Sequence, residues 1–69
     1  MRDAIVYGYD IAENYINRNG DFDICRIYDM IDREIVKKLM EYCDASKNQV
    51  LEAIQEGIER ACRDYKNNF

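Results

Sequence analysis

Three cysteines, one serine and fourteen carboxylates are the side chains of this sequence that could take part in covalent or acid–base chemistry. Cys25, Cys43 and Cys62 stand far apart, with no C-x-x-C pair among them. A thiol attacks or binds metal as its thiolate, which a neighbouring cation or a helix N-terminus favours; Cys25 alone has that setting, beside Arg26 and near an expected helix start. The odd number and wide spacing argue against a disulfide framework. Zinc, in a chain without His, would have to be held by thiolates and carboxylates alone. We read the three as free thiols, buried or half-buried in helices. Ser46 is the only Ser, Thr is absent, and Ser46 falls where a helix needs a cap. Acid–base chemistry near neutral pH is most often the work of His, which is missing, and the carboxylates are expected on exposed faces. No phosphate-cradling glycine loop and no metal-loop spacing is present. The residues point to no catalytic set, no cofactor and no metal, and the expectation is a protein that is not an enzyme.

Binding residues are better represented. Six tyrosines, Tyr7, Tyr9, Tyr15, Tyr28, Tyr42 and Tyr65, offer large contact area and a hydroxyl at low entropic cost. Tyr7, Ile11 and Tyr15 repeat every four residues beside a second stripe of Ile5, Ala12 and Ile16, so the apolar arc spans roughly 200° at about 100° per residue. One core contact does not cover that arc. Either the helix sits between two neighbours, or the Tyr7, Ile11, Tyr15 strip faces a protein partner or a second copy in a homodimer. Charge follows the same half of the chain. Of the net −4, all of the excess lies in residues 1–32, where seven acids (Asp3, Asp10, Glu13, Asp21, Asp23, Asp29, Asp32) face three arginines. Such a half repels a phosphate backbone and suits a basic protein groove, including the basic channel of a nucleic-acid-handling enzyme. The candidate protein-binding set is therefore Tyr7, Ile11 and Tyr15 with Asp3 and Asp10.

The elements that must position these residues are helices. Pro is absent, Gly occurs three times in 69 residues, and apolar residues recur along the whole length, which fits an all-α fold in a single domain over 1–69. A domain of this size buries only about 60% of the surface its unfolded chain exposes. The first helix is expected over 3–18, with Ile5, Gly8, Tyr9, Ala12 and Ile16 inward. Asn19-Gly20 stops it, Asp21 or Asp23 caps the next, and the short turn makes the two neighbours antiparallel. The set Ile24, Ile27, Tyr28, Ile31, Ile35, Leu39 and Tyr42 reads as one second helix over 23–43. The alternative is two short helices meeting near Asp32, because Asp competes for backbone N–H groups. After a turn at 43–46, Leu51, Ile54, Ile58, Ala61 and Tyr65 form the seam of a third helix over 46–66. Beside it runs a small-residue stripe, Ala53, Gly57 and Ala61, that invites close backbone approach. The tail 66–69 is expected to fray. The start of the chain carries charges inside any candidate leader core, and no apolar run nears the roughly 20 residues a bilayer needs, so a cytoplasmic protein without membrane contact is expected.

The segment 36–55 supports a second reading. Leu39, Cys43, Ala45, Val50 and Ala53 occupy the apolar positions of a two-helix unit, with Ser46 capping its second helix. About 20 of the 69 residues thereby resemble the helix-turn-helix of transcriptional regulators, although Asp44 stands where that turn usually has Gly and Met40 where it usually has a small residue. The resemblance implies that Lys47, Asn48 and Gln49 face bases, Asn and Gln being suited to adenine edges, with Lys37 and Lys38 nearby for phosphates. The sequence thus leads to a small non-enzymatic regulator that binds a protein through its acidic, tyrosine-bearing helix, with DNA binding as the alternative.

Overall fold

The computed structural model describes residues 1–67. They form an all-α fold of four helices: α1 (Arg2–Asn19), α2 (Ile24–Asp29), α3 (Arg33–Cys43) and α4 (Lys47–Asn67). Gly20 ends α1 in the left-handed conformation, φ 75°, which a residue without Cβ adopts at no steric cost. Its N–H donates to the Ile16 carbonyl at 2.8 Å. Asp23 then caps α2 by accepting the N–H groups of Cys25 at 3.1 Å and Arg26 at 3.4 Å.

The single helix expected over 23–43 is two, with the break at Asp32. Its carboxylate accepts the Glu34 N–H at 2.8 Å, the cap role that Asp prefers to a helix interior. Its own N–H, which an unbroken helix would turn toward Tyr28, donates instead to the Tyr7 hydroxyl of α1 at 3.0 Å. The break changes which residue of α3 is buried. Val36, absent from the expected stripe, is the residue that α3 buries, while Ile24 and Tyr42, at the ends of that stripe, are exposed.

Asp44 ends α3 at φ 50°, ψ 52°, a conformation Asp tolerates better than most residues. Ser46 and Gln49 then cap α4 reciprocally: Ser46 Oγ accepts the Gln49 N–H at 3.2 Å, and Gln49 Oε1 accepts the Ser46 N–H at 3.0 Å. The final helix continues through Lys66 and Asn67, which were expected to fray; the rest of that tail, 68–69, lies outside the described residues. One reason is visible at its end. Phe22 meets the Tyr65 ring edge-on at 5.9 Å, Lys66 Nζ sits 5.0 Å over Phe22, and the Tyr65 hydroxyl donates to the Gly20 carbonyl at 2.6 Å.

The main packing is α1 against α4, and the two run parallel. Met1 and Ile5 lie beside Gln49 to Glu56, whereas Ile16 and Asn17 lie beside Ala61 to Tyr65. Between these ends, Ala4, Gly8 and Ala12 on α1 are buried, as are Ala53, Gly57 and Ala61 on α4. A methyl placed on Gly8 would overlap the Ile54 carbonyl, with its carbon at 2.8 Å; one placed on Gly57 would overlap the Ile5 carbonyl oxygen, with Tyr9 N at 2.8 Å. The helices therefore touch backbone to backbone. Parallel helices need a return connection, and α2 and α3 provide it. Val50, Ile54 and Ile58 of α4 and Ile27 of α2 are fully buried, each worth about 1.5–3 kcal/mol relative to exposure. No charged, amide or aliphatic hydroxyl side chain is buried among the described residues, and none of the described helices is long and apolar enough to cross a membrane.

Candidate docking groove

The tyrosine strip does not lie free. Tyr15 is 8% exposed and part of the core. Tyr7 and Ile11 are half-buried against it, and the Tyr7 hydroxyl is held by the Asp32 N–H. Of the two arrangements open to a helix with so wide an apolar arc, the structure has the central one: α4 packs on one stripe, and the α2–α3 return meets the other. Asp3 and Asp10 are exposed as expected, Asp3 in the first turn of α1 where the helix dipole favours a carboxylate. The Tyr7, Ile11, Tyr15, Asp3, Asp10 set is thus divided between a covered face and an open one.

Other tyrosines are also occupied. The Tyr9 hydroxyl donates to Asp64 at 2.6 Å, joining α1 to α4. That hydrogen bond raises the Tyr9 pKa above its ordinary value of 10.0, with partial burial and then the negative charges of Asp64 and Glu13 adding to the shift. Burial, then the Glu59 charge, raises Tyr28. Three of the six tyrosine hydroxyls, those of Tyr7, Tyr9 and Tyr65, tie helices together. Tyr42 is 78% exposed, and Tyr28, like Tyr7, Tyr9 and Tyr65, is half-buried.

Lys47, Asn48 and Gln49 are exposed in the first turn of α4, and Lys37 and Lys38 are exposed on α3. The left-handed Asp44 supplies the backbone turn that a glycine gives the helix-turn-helix. Two features run against base reading. The Gln49 carbonyl oxygen is engaged in the capping box, and Gln49 shares a depression with Asp44, Glu52 and Glu56, carboxylates that repel phosphate. The S-x-x-Q spacing of that box was legible in the sequence.

Along the α3–α4 seam lies a surface that residue patterning alone did not single out. Tyr28, Ile31, Val36, Met40 and Leu51 floor a groove of about 680 Å³, with Arg33, Lys37 and Lys47 on its rim and Glu34 beside them. Helical spacing produces it. Arg33, Val36, Lys37 and Met40 are i, i+3, i+4 and i+7 on α3, and Lys47 and Leu51 are i and i+4 on α4. The ion pairs among the described residues, Arg26–Asp23 at 3.7 Å and Arg60–Glu56 at 2.9 Å, lie elsewhere, so none of the three rim cations is ion-paired to another described residue. The groove was invisible in sequence because the break at Asp32 sets which side of α3 turns toward α4.

The cysteines differ in setting. Cys62 is buried and Cys43 half-buried, as expected, but Cys25 is exposed, because α2 is short and buries Ile27 alone. Burial raises the Cys62 pKa; the nearby Lys66 opposes the shift and Glu59 adds to it. Among the described residues, no three Cys, Asp or Glu come together in a way that could hold a metal ion. Comparison with known proteins finds no family model, no curated protein and no solved structure that matches the chain.

Proposed function

We propose that this protein is a small non-enzymatic regulator that docks on a protein partner, and that the docking surface is the α3–α4 groove. The groove itself carries the reading: an apolar floor, open to solvent, on a helix whose one buried residue is Val36. A small-molecule site encloses its ligand and orients it with polar groups fixed inside the cavity, whereas the charged side chains that line this groove, Arg33, Glu34, Lys37 and Lys47, are all exposed. An apolar stripe from a partner needs no such fixed groups. The exposed acids of α1, Asp3 and Asp10 among them, favour a different face and suit a basic channel.

Photo-crosslinking side chains at Met40 and at Asp10, introduced separately and activated in the expressing cell, distinguish the two faces. A defined adduct from Met40 and none from Asp10 is expected. An adduct from Asp10 alone would move the docking surface to α1. DNA binding is a second reading, favoured by the left-handed turn at Asp44 and by exposed Lys47 and Asn48. It requires sequence-dependent binding that weakens with salt and is lost on Asn48→Ala, and absence of any mobility shift with genomic fragments at low salt would refute it.

A further inference from the structure

We infer that the segment received by the groove is an acidic amphipathic helix of the partner, an inference that rests on the docking reading above. Two observations carry it. The floor is a mix of one aromatic and four aliphatic or thioether side chains, Tyr28, Ile31, Val36, Met40 and Leu51, which suits the alternating bulk of a helix stripe repeating at i, i+3, i+4 and i+7. The floor residues of α3, Val36 and Met40, are themselves one helical turn apart. A partner helix of about three turns matches the roughly 16 Å length of the eleven-residue α3.

The rim then specifies charge. Arg33 and Lys37 flank the floor on one side and Lys47 on the other, all exposed. None of the three is in an ion pair within the described chain. Glu34 is the one acid lining the groove. The Asp32 carboxylate close by is engaged as the cap of α3. This local cationic rim stands out in a chain whose net charge is −4, and its field persists over about 8 Å at physiological salt. A partner helix with Glu or Asp on both flanks of its apolar stripe meets opposite charge on both sides, while a basic one meets like charge.

Two peptides of about fourteen residues share one leucine stripe and differ in carrying Glu or Lys on its flanks. Each is titrated into the isotope-labelled full chain and followed by amide chemical shifts. The Glu peptide is expected to shift Tyr28, Ile31, Val36, Met40 and Leu51. It should bind about tenfold or more tighter than the Lys peptide. Lys37→Glu with Lys47→Glu, both exposed changes that leave the core intact, should invert that preference. Equal binding of both peptides in the groove overturns the acidic partner and leaves the docking reading standing. Shifts outside the groove, or none with either peptide, overturn both. Groove shifts that follow chain concentration without peptide assign the site to a second copy, and displacement of the Glu peptide by duplex DNA at physiological salt assigns it to nucleic acid; each overturns the inference.

Discussion

Gly57 shows how one residue decides more than its propensity suggests. Replacing a mid-helix glycine by alanine ordinarily stabilises by about 1 kcal/mol. At Gly57 the added methyl would meet the Ile5 carbonyl and Tyr9 N, and at Gly8 the Ile54 carbonyl. Backbone atoms cannot swing aside as a side-chain tip does, so the helices must separate, at a cost of about 1–3 kcal/mol or more. Gly8→Ala and Gly57→Ala are each expected to lower the thermal midpoint by roughly 4–8 °C per net kcal/mol lost, and an unchanged or raised midpoint would mean that the close approach is absent. The stripe Ala53, Gly57, Ala61 was legible in the sequence, as was the inward placement of Gly8 and Ala12 on α1; that the two stripes meet backbone to backbone was decided by the pairing of the helices. At Tyr9 the sign of a pH effect follows from the Asp64 hydrogen bond. A neutral hydroxyl donates, whereas a phenolate would face a carboxylate. The folded pKa is raised, so the stabilising contribution is complete below 10.0 and is lost as pH rises through the folded value. Stability measured by denaturant unfolding should fall as pH climbs above about 10, and Tyr9→Phe should flatten part of that fall. Tyr28 and Cys62, both raised by burial, leave a residual slope.

Among the elements, the second helical segment is where local pattern and structure part. Seven apolar residues at helical spacing describe one helix, yet Asp32 divides it, because its carboxylate and its N–H both find better partners outside a continuous helix, at Glu34 N and Tyr7 Oη. The carboxylate's preference is local and was legible as an alternative. The hydroxyl that receives the N–H comes from 25 residues away, so the outcome depends on packing. Asp32→Ala removes the cap and is expected to cost about 1 kcal/mol, read as a lower denaturant midpoint with unchanged slope; no loss would show that the cap is idle. The same division leaves α3 with Val36 as its buried residue, whereas α4 buries seven. Amide hydrogens of α3 should therefore exchange well before those of α1 and α4, and equal protection would show that the return connection is as firmly held as the parallel pair. The ends of α1 and α4 were readable from Gly20 and Ser46, since turn and cap chemistry act within a few residues.

For the whole molecule, the described residues extend 37 × 19 × 14 Å, close in length to the roughly 31 Å of the 21-residue α4. A parallel pair with a return connection over one side gives that elongated shape, and the partly covered side holds the groove. The core closes within one chain, with no buried side-chain polar atom left without a partner among the described residues. The unfolding midpoint is accordingly expected to stay constant from about 1 to 100 µM, whereas a midpoint rising with concentration would make the fold an assembly property. By itself, the sequence determined the helical class, two of the helix boundaries, the covering of one stripe of α1 and the small-residue seam of α4. These rest on periodicity and capping, which act over one or two turns. Tertiary structure alone decided that α1 and α4 run parallel, that Tyr7 and Tyr15 are used internally, and that Arg33, Lys37 and Lys47 gather around an apolar floor. Those outcomes depend on which faces meet across tens of residues, and the phase of that meeting was set by one broken helix and two glycines in backbone contact.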